Sequence, residues 1–382
     1  MASVTKRQWT NASGKTTTAW RVSYTDANGK RQHIQKTSKR EADAERVRIE
    51  GELARGTHVA DRDSVTVADA AADFLVEFDQ LVSAGKRERS TYRAYDRHYR
   101  LHLQAHPIAK IRLSKLTGPD CADFARWLER NRSDDMAGRV LFFLRMTVDH
   151  ARTKGWVNSD PVGGVKIRGA SERTAEPEIE IPTKEQLRAL LKAAADDPMS
   201  DAMVSLLMFC GLRASEMRGL CRDSLNLSSA GSSVTVSQRA DQWQRIGSPK
   251  SANSRRSVPV PPGVTQKLRK WLLAAPNGKL GLVFPTGSGT VESYANIYNR
   301  IWCPMMVRAG LADKDDKPAF ALHTLRHVAV SLWIEQGVTP KQVSKWAGHA
   351  SVQFTLDTYG HLWPSLDSDN QIAQQVEAAI LG

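Results

Sequence analysis

The sequence predicts a multidomain chain, mainly α-helical with small β-sheets (α+β): a sheet-plus-helix module, a helical domain and a mixed α/β domain. Three observations carry this. Trp20, Val22 and Tyr24 alternate with polar residues, then "DANG" turns the chain into a second strand-like run through Ile34. Between residues 62 and 168, four segments repeat their apolar residues at helical spacing instead. From Thr183 onward, helix-like runs are interrupted by two alternating stretches, "SSVTVSQRA" and "RRSVPVP".

Taken in order, residues 1–58 form the first module. After the two strands comes "SKREADAERVRIEGELARG", in which Ser38 followed by Glu41 is a capping-box signature and Gly56 a stop. Residues 1–55 hold twelve basic and six acidic side chains, so nearly half of the chain's net charge of +13 lies in a seventh of its length. Residues 62–168 form the helical domain, through "SVTVADAAADFLVEFDQLV", "RSTYRAYDRHYRLHL", "TGPDCADFARWLER" and "DDMAGRVLFFLRMTVDHARTKGW". Arg89, Arg93, Arg97 and Arg100 fall at intervals of four, four and three, which places them on one helix face as a DNA-facing or solvated row. "KGWVNSDPVGGV" ends the domain, and the charged, aperiodic segment 169–182 is a linker. The mixed domain covers 183–363. In the tail, 364–382, Ile372, Val376 and Ile380 recur every four residues, a short amphipathic helix in need of a surface.

Composition narrows the function. Lys and Arg number 54 against 41 Asp and Glu, an excess that favours a polyanionic partner, nucleic acid before membrane. The four cysteines are widely spaced with no C-x-x-C pair, which argues against a zinc module or disulfide scaffold and suits a reducing cytoplasm. The N-terminal stretch has no apolar core of a secretory signal, and "AMVSLLMFCGL" is too short to span a bilayer, so no membrane partner is expected.

Four motifs in the third domain carry chemistry: "GLRASE" with Arg213 and Glu216, "SPKSANSRRSVPVP" with Lys250, "HTLRH" with His323 and Arg326, and "WAGHAS" with His349, upstream of Tyr359 in "TLDTYGHLWP". Attack on a phosphodiester needs a nucleophile, cations over the non-bridging oxygens and an acid for the departing 5′ oxygen. Guanidinium forks suit the second task, lysine or histidine the third, and a tyrosine hydroxyl the first. Each residue also has a plain structural role open to it. Tyr359 could close a core edge, the histidines could be buried and satisfied, and Lys267 or Lys279 could replace Lys250.

The set G-L-R-x-S-E, H-x-L-R-H, a downstream G-H and a tyrosine ten residues later resembles the tyrosine recombinases, phage-type integrases in particular, over roughly residues 66–363. The resemblance implies that Arg213 and Arg326 grip the scissile phosphate and Lys250 protonates the 5′ oxygen. His323 assists proton transfer at the tyrosine, His349 bonds the phosphate, and Glu216 orients arginine and histidine side chains. Tyr359 becomes a 3′-phosphotyrosine. It further implies an arm-site-binding module at 1–58 and a helical core-binding (SAM-like) domain at 62–168. The partners are double-stranded DNA at core and arm sites, a homotetramer exchanging strands through a Holliday junction, a DNA-bending protein and an excisionase. No cofactor, metal or nucleotide triphosphate is expected, because the phosphotyrosine conserves the bond energy. The rival readings are a dimer-resolving recombinase or type IB topoisomerase, and a DNA-binding regulator on a dead catalytic fold.

Overall fold

The computed structural model describes residues 2–10, 16–26, 29–56, 58–61, 64–168, 180–228, 230–249, 254–363 and 377–381. The chain divides into two compact units, Met1–Glu176 and Pro177–Gly382. No described helix is long and apolar enough to cross a membrane.

The first unit opens with an antiparallel sheet, β1 (Ser3–Thr10), β2 (Thr16–Thr25) and β3 (Arg31–Lys36), in the order β1-β2-β3. Trp20, Val22 and Tyr24 all point to one face by strand alternation, and helix α1 (Lys39–Ala54) covers that face with Ala42 and Ile49. Ser38 caps α1 by accepting from the Glu41 backbone, but the Glu41 carboxylate bonds the Thr37 hydroxyl, so the capping box is half made. Strand β1 has no counterpart in the sequence reading. Its residues are almost all exposed and polar, and it exists because its backbone pairs with β2, Lys6 opposite Trp20.

The rest of this unit packs α2 (Val67–Ser83), α3 (Arg89–His98), α4 (Gly118–Asn131) and α5 (Asp134–Thr153) around one core that includes Phe74, Phe124, Phe143 and Leu144. Thr66 and Thr117 close full capping boxes with Asp69 and Asp120. Arg89, Arg93, Arg97 and Arg100 are all exposed, while Tyr92, Tyr95 and Tyr99 pack on the core. The helix does not run straight through this row. A π-helical turn, Tyr99–Leu103, follows α3, so Arg100 leaves the α-helical register and pairs with Asp96.

The second unit holds α6 (Lys184–Ala194), α7 (Pro198–Cys210), α8 (Ala214–Arg218) and the antiparallel sheet β4 (Leu225–Ser228), β5 (Gly231–Val236) and β8 (Arg256–Val260), ordered β4-β5-β8. The small ribbon β6 (Arg239–Ala240) with β7 (Ile246–Gly247) lies between β5 and β8 in sequence. Then come α9 (Pro262–Ala274), α10 (Cys303–Arg308), α11 (Thr324–Glu335), α12 (Pro340–Ala347) and α13 (Val352–Tyr359). Buried α7 is the hub: Met203, Leu206 and Leu207 join Leu190, Leu268, Trp302 and Val328 in one core. A smaller cluster of Val330, Ile334, Val343 and Ala347 seats Tyr359.

Candidate active site

Each motif is first a local folding device. Gly211 ends α7 with φ +63, and a Cβ there would sit 2.9 Å from Trp333 Cη2, so glycine is required twice over. Leu212 is buried behind it. Arg213 then starts α8, with the Glu216 carboxylate reaching back to its backbone N–H at 2.9 Å. Gly348 (φ +65) ends α12 the same way. The N–H groups of Gly348 and His349 turn back onto the carbonyls of Lys345 and Ser344 at 3.2 and 3.1 Å.

Among the described residues that turn gives the carbonyls of Trp346, Ala347 and Gly348 no backbone partner, and three arginines from three different motifs take them. Arg256 Nε donates to Trp346, Arg326 Nη2 to Ala347, and Arg213 Nη2 to Gly348 at 2.9 Å. Cations are favoured at this end of a helix, where carbonyls point outward with the negative pole of its dipole. The end of α12 therefore gathers the guanidinium groups that motif spacing alone leaves far apart. Arg326 is fixed on its other side by the Gly211 carbonyl at 2.7 Å.

Three clustered cations need a counter-charge. Glu216, 3% exposed, bonds Arg213 Nη1 at 2.8 Å and takes Arg256 in a fork at 3.0 and 2.8 Å. Burial pushes its carboxyl up, but hydrogen bonding and charge from Arg256, with the charge of Arg213, outweigh that and hold it down at about 2. Burial and the charges of Arg213 and Arg256 lower Arg326 to about 9, which still leaves it cationic at neutral pH.

Tyr359 closes α13 and is 2% exposed. Its hydroxyl lies 2.6 Å from His327 Nδ1, and its ring stacks on His349 with centroids 6.0 Å apart and planes 8° apart. His349 Nδ1 meets Thr355 Oγ1 at 2.8 Å. Burial raises the Tyr359 phenol, against a downward pull from Arg326 and Arg213. Burial, then the charges of Arg326, Arg213 and Arg256, push His349 down to about 3. The protein around His323, followed by His327, Arg326 and Arg213, brings it to about 4, although part of its ring faces solvent. At neutral pH the site therefore holds neutral imidazoles, a neutral phenol and charged guanidinium groups.

A buried tyrosine hydroxyl, imidazoles and an arginine cluster meet around one helix end, and residues 181–365 match the phage integrase family. Residues 181–365 belong to the tyrosine recombinase family. The chain is 25% identical to a XerC-like tyrosine recombinase of Caldanaerobacter subterraneus subsp. tengcongensis, across 89% of this chain and 90% of the relative. It is 26% identical to the tyrosine recombinase XerC of Brucella melitensis, across 75% and 89%. Among solved structures the fold is similar to the Tn1549 transposon integrase in complex with a circular intermediate DNA, with a TM-score of 0.65 at 19% identity, covering 82% of this chain and all of that one. A lambda integrase tetramer bound to a Holliday junction matches at a TM-score of 0.57 and 15% identity, covering 94% and 98%.

In this recombinase the structure brings Arg213, Glu216, Arg326, His349 and Tyr359 together. The hydroxyl of Tyr359 is held by His327, while the ring of His323 meets His327 edge-on at 5.3 Å. Glu216, expected to orient arginine and histidine, spends its carboxylate on two arginines. Lys250 lies outside the described residues. Its rival Lys267 is tied to Asp201 at 2.5 Å and Ser205 at 3.0 Å as a structural pair. Arg89, Arg93, Arg97 and Arg100 belong to the first unit.

Sequence reasoning missed Arg256 and His327. For Arg256 a signal existed: in "RRSVPVP" it is in phase with Val258 and Val260, so strand alternation aims a charge inward. The one group of His, Asp and Glu side chains among the described residues close enough to hold a metal is Asp73, Glu77 and His150. Lys154 Nζ sits 3.5 and 3.1 Å from its two carboxylates, so an ammonium already balances their charge.

Proposed function

We propose that this recombinase integrates or excises a mobile element at specific DNA sites. Tyr359 is its nucleophile, and Arg213 and Arg326 are its phosphate clamp. The observation that carries this assignment is the convergence of both guanidinium groups on the end of α12, beside the buried Tyr359 hydroxyl. A phosphate seated against them gains two permanent charges, placed before the reaction begins, where transition-state charge accumulates. Lys250 supplies the proton to the 5′ oxygen, and His349 bonds a non-bridging oxygen. Glu216 acts through Arg213 and Arg256, fixing the clamp and the strand that follows Lys250. A groove lined by Arg255, Lys341 and Lys345 continues the positive surface beside the site, in keeping with a DNA backbone.

The remaining assignments follow the same reading. Residues 1–58 bind arm sites, with Lys6, Arg7, Gln8 and Trp9 on the exposed edge of their sheet. Residues 62–168 bind the core site, 169–182 link, 183–363 catalyse, and 364–382 form a tail that docks on a neighbouring subunit. The active assembly is a tetramer on two duplexes. The relatives whose structures contain transposon DNA or a Holliday junction lend this support by analogy of fold.

The test uses nicked suicide substrates, in which the cut strand diffuses away and the covalent adduct persists. Tyr359→Phe should bind the core site and form no adduct. Lys250→Ala should cleave slowly, and regain its rate when a bridging sulfur replaces the 5′ oxygen, because a thiolate leaves without protonation. An adduct formed by Tyr359→Phe would overturn the assignment of the nucleophile.

A further inference from the structure

We infer that His327 is the general base that takes the proton from Tyr359 during cleavage and returns it during rejoining. This rests on Tyr359 being the nucleophile. A phenol whose pKa is raised by burial enters the reaction protonated, so its proton must go somewhere as the oxygen attacks.

Among the described residues the neighbours leave one acceptor in place. The arginines carry no lone pair to offer. His349 runs parallel to the tyrosine ring with centroids 6.0 Å apart, its Nδ1 is engaged with Thr355, and it makes no hydrogen bond to the hydroxyl. The His323 ring meets His327 instead. His327 Nδ1 stands 2.6 Å from the hydroxyl, within the distance that direct proton transfer requires.

The position of His327 in the fold suits the task. It follows Arg326 directly on α11, so the helix that holds a phosphate clamp also holds the base, and α11 is anchored in both the main core and the smaller cluster around Tyr359. Burial, then the adjacent charge of Arg326, keep its imidazole neutral and able to accept. The titratable and charged groups around it are Arg326 and His323 on its own helix, Tyr359 from α13 and His349 from the turn after α12. In the cleavage step the Tyr359 O–H proton passes to His327 Nδ1 as the Tyr359 oxygen bonds phosphorus. The bond from phosphorus to the 5′ oxygen breaks, and that oxygen receives a proton from the acid assigned to Lys250. Rejoining runs the same transfers backward.

The experiment compares full-length wild type, His327→Asn and Tyr359→Phe on a core-site duplex with a bridging 5′ sulfur, so that the leaving group needs no acid and the rate reports deprotonation of the nucleophile. Asparagine places an amide oxygen near the position of Nδ1. It can accept the hydrogen bond but cannot take the proton. Wild type should show a flat rate above pH 7. His327→Asn should be slower at pH 7 by roughly 10²- to 10⁴-fold. Its rate should climb about tenfold per pH unit, as hydroxide replaces the base. Core-site binding and melting temperature report folding, and His327→Gln serves as a second variant should the first melt early. Three results overturn the inference: a rate and pH profile like wild type, a uniform loss with unchanged pH profile (a positioning role only), or faster cleavage, which would make the bond a restraint. An adduct from Tyr359→Phe would instead remove the nucleophile on which the inference stands.

Discussion

Glu216→Gln tests whether the arginine cluster depends on one buried charge. The carboxylate is 3% exposed and shared between Arg213 and Arg256, with the Arg256 side chain almost wholly buried as well. Glutamine keeps the shape and two hydrogen-bonding atoms but removes the charge, leaving Arg256 buried and uncompensated. Two routes give the size of the effect. A carboxyl held at about 2 instead of 4.5 contributes about 3 kcal/mol at roughly 1.36 kcal/mol per pH unit. Breaking a buried ion pair from one side costs about 3–5 kcal/mol. Because the folded pKa is depressed, this stability is fully present above pH 4.5 and is lost as pH falls through about 2. Differential scanning calorimetry of the full chain should show the second unit's transition fall by roughly 6–12 °C at pH 7 in the variant. That gap should narrow as pH drops below 4.5. The double variant Glu216→Met, Arg256→Met should recover part of the loss, since the buried Arg256 charge leaves with its carboxylate, while Arg326 keeps only its carbonyl partners. A shift under about 2 °C at pH 7, or a gap that stays constant down to pH 3, would refute the reasoning.

Gly348→Ala should cost about 1–2 kcal/mol for the left-handed backbone alone. Further loss should come from the new Cβ, which would lie 2.9 Å from Arg256 Nη1. Because Gly348 O accepts from Arg213, the variant should also lose cleavage rate in the suicide assay, whereas unchanged melting and cleavage would refute that account. Deleting residues 1–58 should preserve cleavage at a minimal core site and abolish recombination that depends on flanking arm sites; equal recombination by the truncated protein would remove the arm-binding role.

Local interactions were legible in the sequence. Ser38 caps its helix, and Trp20, Val22 and Tyr24 alternate inward, because each depends on residues a few positions apart. The motifs also named Arg213, Glu216, Lys250, His323, Arg326, His349 and Tyr359 as one set from the sequence alone. Polar β1 was not legible, since its pairing with β2 is made by backbone groups that every residue carries. Neither was the π-helical turn at Tyr99, which follows from how its neighbours pack.

Which charges and rings meet was decided by tertiary structure. Glu216 and Arg256 are forty residues apart, and His327 and Tyr359 thirty-two, so their pairing depends on how α8, β8, α11 and α13 close around the end of α12. Sequence supplies an arginine, a carboxylate or an imidazole. Only the fold, by removing water and fixing distances, decides that one carboxylate sits near pKa 2 and which of three histidines meets the Tyr359 hydroxyl.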